Sequence, residues 1–370
     1  MVKKKVLIID SNRQFLLTRP IKIARSLSRN GYQVEFVMWD RTGNGPEVEI
    51  LDGYKIHNIS IKPMNNHVWG IILSYPLWWL RLFACLIRQD ADIYHCENLY
   101  NLMPIIPLKI AWGKKSVYDI VDFTADSLNW PGYIRRFLIF LEGIGLRFAD
   151  GIVVLDARKQ QIKLDSKNLA LVTNCPEDLL DELGPKTNKD QFIVYYGGWI
   201  SETRGLRHLC EAINGIEGVK LVMAGFGPDK EKLVSLISAQ GNAEFIGLVS
   251  DVESLKWTNT ADAVFAFYDP NIPINRVAVS AKVYDAMMCG TPVITNSEAV
   301  IMSETIRTER CGLVTPYSDI SSLREAIVLL KGDKPLREEM GKNGRRAFES
   351  KYNWSIMESN LIGLYSKIWG

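Results

Sequence analysis

Histidine is scarce in this chain of 370 residues, with four in all, which excludes a histidine-rich metal site. The six cysteines (Cys85, Cys96, Cys175, Cys210, Cys289 and Cys311) form no CxxC pair. That argues against a zinc ribbon and a disulfide scaffold, and fits a reducing cytosol. The turn after the first apolar run, IIDSNRQF, has no glycine, so the GxGxxG of a nicotinamide-binding Rossmann domain is missing. No GxxxxGK(S/T) occurs, which removes the P-loop NTPases, and no GxSxG marks a hydrolase nucleophile elbow. The opening MVKKKVLIID runs straight into a strand pattern without the apolar region and cleavage site of a signal peptide. The expected location is therefore cytoplasmic.

What is present describes a globular protein. Hydrophobic residues make up 47% and charged residues 23%, and the length suits two domains better than one core. The net charge of +2 hides an asymmetry. Residues 1–175 carry 23 Lys and Arg against 16 Asp and Glu, a net +7, while residues 176–370 carry 21 against 26, a net −5. The two halves should face different partners.

The first half reads as strand–helix repeats. KVLIID (5–10) is a buried parallel strand, 18–30 has helical spacing, and VEFVM (34–38) is the next strand. DIYHC (92–96), a helix over 101–112, SVYDIV (116–121), a helix near 131–148, GIVVL (151–155) and LALVT (169–173) continue the alternation. The polar stretch 175–191 reads as a linker. The second series is FIVYYG (192–197), a helix near 204–214, VKLVMAG (219–225), a helix at 228–239, AEFIG (243–247), ADAVFAF (261–267), a helix at 281–289, PVIT (292–295) and GLVTP (312–316). Two such series predict an α/β protein of two doubly wound domains facing across a cleft, with ligand at the carboxyl ends of the strands.

Residues 68–87 (VWGIILSYPLWWLRLFACLI) are apolar apart from Arg81 and long enough to cross a bilayer. Pro76 and Arg81 argue for a helix packed on the first domain with one apolar side exposed. Its Trp69, Trp78, Trp79 and Phe83 suit a membrane interface. With Lys3–Lys5, Arg135–Arg136 and the +7 balance, they predict docking of the first domain on an anionic membrane surface.

Three stretches carry chemistry. In SAKVYDAMMCGTPVITN (280–296), Ser280 and Lys282 open a helix, a good place for an anion because free N–H groups, the helix dipole and a cation converge there. Asp285, one turn on, suits the vicinal hydroxyls of a ribose. Read alone, the stretch is equally an ordinary capped helix. In YYGGWISETRGLRHL (195–209), Gly197 and Gly198 follow a strand and let a diphosphate approach the backbone, where Arg204 can neutralise it. MAGFGPDKEKL (223–233) places Phe226 and Gly227 in a further glycine turn. His95 ends the strand DIYH and is either a hydrogen-bonded strand-end residue or a group touching donor or acceptor. Glu97 should face the same side, and Asp122 follows another strand.

Together these blocks resemble retaining GT-B glycosyltransferases of family 4, over nearly the whole chain and most strongly over 192–350. DAMMCGTPVI resembles the family's EAMACGTPVI with Asp285 at its second glutamate. GGWISETRGL resembles GRLSPEKGL with Arg204 at the phosphate-binding lysine. LVMAGFGP, FIGLV and ADAVFAFYDP match further blocks, and ADIYHCENLYNL resembles ADVVHAHDLYTL. Four positions depart from the pattern. Val277 stands at the first glutamate, Trp199 at an arginine, Glu97 at the second histidine of the HxH block, and the first-loop glycine pair is missing.

The resemblance implies transfer of a sugar from a nucleoside diphosphate sugar, such as a UDP- or GDP-sugar, to an acceptor hydroxyl. It implies no metal and no other cofactor, and no nucleic-acid partner. Arg204, Lys282 and His95 are the implied catalytic set. Gly197, Gly198, Phe226, Gly227, Val249, Ser280 and Asp285 are the implied donor-binding set. The expected organisation is an acceptor domain over 1–178, a donor domain over 190–350 and a helix over 351–370 returning to the first domain. The acceptor would be a lipid-linked glycan or another surface-polysaccharide precursor, met at the inner face of the cell membrane. A decayed sugar-nucleotide-binding subunit and a sugar-nucleotide 2-epimerase are the alternatives.

Overall fold

The two alternating series condense into two mainly parallel sheets, each in its own unit of the computed structural model. One unit comprises Met1–Asn174 with Met357–Gly370, the other Cys175–Ile356. The structure describes residues 4–11, 19–64, 68–126, 130–155, 168–186, 190–238 and 240–369. Lys3, the IIDSNRQF turn beyond Ser11, the end positions 18 and 239 of two expected helices, and linker residues 187–189 lie outside them.

In the first unit the strands are β1 (Lys5–Asp10), β2 (Gln33–Asp40), β3 (Val48–Leu51), β4 (Tyr54–Ser60), β5 (Ile93–Glu97), β6 (Lys115–Ile120), β7 (Gly151–Val154) and β8 (Leu169–Leu171). Their order is β3-β4-β2-β1-β5-β6-β7-β8. All pairs are parallel except β3 with β4. That hairpin was not anticipated, although Asp52-Gly53 marks it: both residues have positive φ (52° and 81°), as a type I′ turn needs.

The helices are α1 (Arg19–Arg29), α2 (Val68–Gln89), α3 (Leu99–Leu102), α4 (Ile105–Trp112) and α5 (Gly132–Phe148). The single helix expected over 101–112 is broken at Met103-Pro104, because proline has no N–H to continue the ladder. Trp78, Leu82 and Leu86 of α2 join Leu99, Leu102, Ile105 and Leu108 in one core with the sheet residues Leu7, Ile9, Val37 and Tyr94. Burial of each large side chain there contributes about 1.5–3 kcal/mol.

The second unit begins earlier than expected. Residues 175–186 are not a free linker. They form the short helix α6 (Leu180–Leu183). Asp178 pairs with Arg345 at 2.6 Å, and the Gly184 carbonyl accepts from Asn259 at 3.0 Å. These bonds fix a stretch whose polar composition alone resembles a tether.

Six strands follow: β9 (Phe192–Trp199), β10 (Val219–Phe226), β11 (Ala243–Phe245), β12 (Ala263–Ala266), β13 (Val293–Asn296) and β14 (Gly312–Thr315). They form a wholly parallel sheet in the order β11-β10-β9-β12-β13-β14. The intervening helices are α7 (Leu206–Ile213), α8 (Lys230–Ser238), α9 (Asp251–Thr260), α10 (Ala281–Met288) and α11 (Val300–Glu309). Then come α12 (Ile320–Gly332), α13 (Lys334–Lys351) and α14 (Trp354–Trp369). Helix α9 was not anticipated, though it opens with a full capping box between Ser250 and Glu253. From Met357 onward α14 belongs to the first unit, where a Cβ on Gly151 would meet Leu364 and Ile368 at 3.2 Å.

In each sheet the strand order reverses direction beside the first strand. The reversal lies between β1 and β5 in one and between β9 and β12 in the other. The helices leave the two neighbouring strands toward opposite faces there, so a crevice opens at the carboxyl ends. Those ends carry Asp10 and Glu97 in the first unit, and Gly197-Gly198 and Tyr268 in the second.

Candidate active site

The crevice of the second unit is built by close backbone approach. β9 and β10 run side by side to Gly198 and Gly225. A Cβ on Gly225 would sit 1.8 Å from the Gly198 carbonyl oxygen, so only glycine fits. Gly198 has φ 137°, and a Cβ there would lie 2.9 Å from Lys282 Nζ. The turn is thus open toward the start of α10, where Ser280 is the N-cap and makes no side-chain capping bond. The Lys282 ammonium thus reaches the Gly198 turn from a helix start, where the first backbone N–H groups lack intrahelical acceptors.

Lys282 lies over the Tyr196 ring at 4.8 Å. Among the described residues it has no ion-pair partner. Burial, and then the nearby Arg204 cation, pull its pKa from 10.5 down to about 8, with Asp285 opposing. Arg204 sits 4.0 Å over the ring of Tyr268, the residue two beyond β12. One of its N–H groups reaches the Asn275 side-chain oxygen at 3.5 Å. Two cations with no carboxylate at ion-pair distance among the described residues, Asp285 acting on Lys282 only from further off, form a receptor for a multiply charged anion. Tyr196, Tyr268 and Asn275 support these cations and were missed. Their signal was topological, since two of them lie at or just beyond the strand ends where the sheet reverses.

The remaining expected residues surround this region. Gly197 abuts Tyr195, whose hydroxyl is 3.0 Å from Ser254. Asp285 stands one turn into α10, half-buried. Exposed Phe226 closes β10 and meets Trp199 edge-on at 5.3 Å. Gly227 passes under the Ile200 carbonyl, where a Cβ would lie 2.1 Å away. Val249 packs over the small cluster of Tyr195 and Trp257. A 2.8 Å bond from Gly225 N–H to the Gly247 carbonyl ties the two loops together. Val277, at the position of the family's first glutamate, ends a 3-10 turn with its side chain exposed.

His95 belongs to the first unit. It is 1% exposed. Its Nε2 is 3.3 Å from Asp119 and its Nδ1 is 2.9 Å from the Tyr365 hydroxyl. With both nitrogens engaged it is a strut between β5 and α14, in keeping with the hydrogen-bonded strand-end reading. Asp119 rather than Asp122 is the buried acid of β6. It holds Arg19 through two bonds of 2.8 and 3.0 Å. Burial alone would raise its pKa, but Arg19 and His95 hold it at about 2. Asp122 lies beyond the strand, its N–H 3.4 Å from Asn98. Glu97 is the group left at the mouth of this unit. Burial, and then the neighbouring Asp10 and Asp119, raise its pKa well above the usual carboxylate range.

This fold is GT-B: two Rossmann-like sheets of the kind found in solved glycosyltransferases. The chain is similar over 99% of both lengths to sucrose-phosphate synthase from Thermosynechococcus elongatus, with TM-score 0.78 and 17% identity. It is similar to WaaG, a glycosyltransferase of lipopolysaccharide biosynthesis, over 97% of this chain and 99% of that one, with TM-score 0.67 and 15% identity. Residues 183–347, which lie within the second unit, match the family model described as Glycosyl transferases group 1. Among curated proteins, the capsular polysaccharide biosynthesis glycosyltransferase CapM of Staphylococcus aureus is 25% identical over 195 residues, half of this chain and 49% of its own. The lipopolysaccharide core biosynthesis glycosyltransferase LpsD of Rhizobium meliloti is 24% identical over 49% of this chain and 51% of its own. The chain thus spans about half the length of the curated relatives it matches.

Proposed function

We propose that this protein moves a sugar from a nucleoside diphosphate sugar to an acceptor hydroxyl, with retention of configuration, in the making of a surface polysaccharide. One observation carries the reading: Arg204 and Lys282 converge beside the Gly198 turn and the open start of α10, with no ion-pair partner for either among the described residues. As the sugar–phosphate bond breaks, negative charge grows on the leaving diphosphate, and fixed cations and N–H dipoles stabilise it there. Asp285 would hold the ribose, and the loops at Phe226–Gly227 and Val249 would border the base. In this scheme the chain's own cations do the work often given to a divalent metal. The solved structure of the Anabaena protein HepE holds UDP, and that protein has TM-score 0.68 and 13% identity to this chain over 98% of it and all of HepE. It supports a uridine nucleotide as the first donor to try. The acceptor would be a lipid-linked glycan reached from the cytoplasmic face of the membrane.

The test is incubation with UDP- and GDP-sugars and polyprenyl-linked acceptors, with and without EDTA, reading the product and its anomeric configuration by NMR. Transfer with retention that persists in EDTA is expected. Inversion, or full loss rescued by magnesium, overturns the mechanism, and epimerised nucleotide sugar without transfer overturns the function. A second reading, a sugar-nucleotide-binding subunit, is favoured by Val277 standing where the family has a carboxylate. Tight nucleotide binding with no turnover on any acceptor would select it.

A further inference from the structure

The helix α2 is unusual for its position. Its buried stripe is narrow: Gly70, Ser74, Trp78, Leu82 and Leu86 recur every four residues, and the rest of its surface is half or fully exposed. The opposite stripe is apolar as well, with Leu73 67% and Leu80 72% exposed. A helix that is hydrophobic all round is normally buried all round, yet only 22% of its most apolar window is covered.

Neighbouring helices share this property. On α5, Tyr133 is 74% and Phe140 63% exposed, and on α4 Ile110 is 70% exposed. Among the described residues, α2, α4 and α5 together carry about half of the large exposed apolar side chains. The helices adjoin one another. Trp69 of α2 meets Trp130, just before α5, edge-on at 6.1 Å. The Trp79 indole N–H donates to the Tyr100 carbonyl of α3 at 2.7 Å. Residues of α2, α4 and α5 all pack into the core on the same side of the first sheet. An apolar surface of this extent marks an interaction site.

Charge selects the partner. The three helices hold six cations, Arg81, Arg88, Lys109, Arg135, Arg136 and Arg147, of which Lys109 pairs with Asp150 at 2.7 Å and Arg135 with Asp126 at 2.8 Å. They hold one acid, Glu142, which is buried and accepts from Tyr118 and Thr124. Arg81 and Arg88, with Glu47 as the one acid, line a cavity of about 510 Å³ between α2 and β4. Exposed tryptophan and phenylalanine among arginines, with no exposed acid on the three helices themselves, match a bilayer interface bearing negative charge.

We infer that α2, α4 and α5 form a docking face for an anionic lipid bilayer, lying on the surface without spanning it. This deepens the transfer reading by naming the surface on which the first unit would meet a lipid-borne acceptor. The test uses neither donor nor acceptor, so its failure leaves transfer standing. Sediment the full chain with vesicles of phosphatidylcholine alone, and of phosphatidylcholine with phosphatidylglycerol, at low and raised salt. Binding to the anionic vesicles that weakens with salt is expected. Leu73→Glu with Phe140→Glu, and separately Arg135→Glu with Arg136→Glu, should each cut partitioning on the order of tenfold or more. All four sites are exposed, so circular dichroism and Tm should match wild type and exclude unfolding. Equal recovery with both vesicle types, absence from both pellets, or a vesicle-independent dimer abolished by Leu73→Glu each overturns the docking face.

Discussion

Lys282 offers the sharpest test of the site, because its charge should be costly without ligand and useful with it. Its pKa is drawn from 10.5 to about 8, by burial and then by Arg204. That difference corresponds to about 1–3 kcal/mol of destabilisation at neutral pH. Lys282→Met keeps the volume over Tyr196 and removes the charge. The ligand-free variant should therefore melt a few degrees higher than wild type. It should also bind UDP or GDP on the order of tenfold to a hundredfold more weakly, since a charge-assisted bond is worth about 1.5–3 kcal/mol. The pH dependence follows from the same shift. Between about 8 and 10.5 the unfolded chain keeps a proton that the folded protein has released, so this group's contribution to stability rises with pH across that window. Diphosphate affinity runs the other way, falling above about 8 as the ammonium is lost. Calorimetric titration and thermal melts from pH 6 to 10.5, taken as wild type minus variant, read both slopes. A variant that melts lower without ligand, or binds the nucleoside diphosphate as wild type does, refutes the reasoning.

Asp119→Ala should cost about 3–5 kcal/mol in urea unfolding, since it leaves the buried Arg19 guanidinium without its carboxylate. In the wild type this acid's stabilisation is complete above its ordinary pKa of 3.8 and is lost as pH falls toward about 2, so the stability gap to Asp119→Ala should shrink over that range. Gly225→Ala places a methyl 1.8 Å from the Gly198 carbonyl. It should lower both Tm and nucleotide affinity, whereas Gly215→Ala, where φ is also positive but nothing lies within 4 Å, should lower Tm slightly and leave affinity unchanged.

The strand runs were legible because a parallel strand covered on both faces must be apolar throughout, as KVLIID and FIVYYG are. Helix starts were less so. The capping box of Ser250 and the Asp52-Gly53 turn are short signals beside long apolar runs. The glycines, Arg204, Lys282 and the Ser280 start were readable as types that tolerate close approach and carry positive charge. Composition could not reveal that Gly225 abuts Gly198 or that Tyr196 and Tyr268 lie beneath the two cations. Those contacts join residues from 27 to 86 positions apart, and only the pairing of β9 with β10 and the packing of α10 and the β12 end beside them bring them together. The same limit explains His95. Its sequence neighbours place it at a strand end, but both of its hydrogen-bond partners, Asp119 and Tyr365, arrive from other elements. The apolar content of 68–87 was likewise plain from sequence, while which of its sides stays exposed was not. The pattern is apolar all round, so packing of Trp78, Leu82 and Leu86 on the sheet chose the buried stripe and left the other side in solvent.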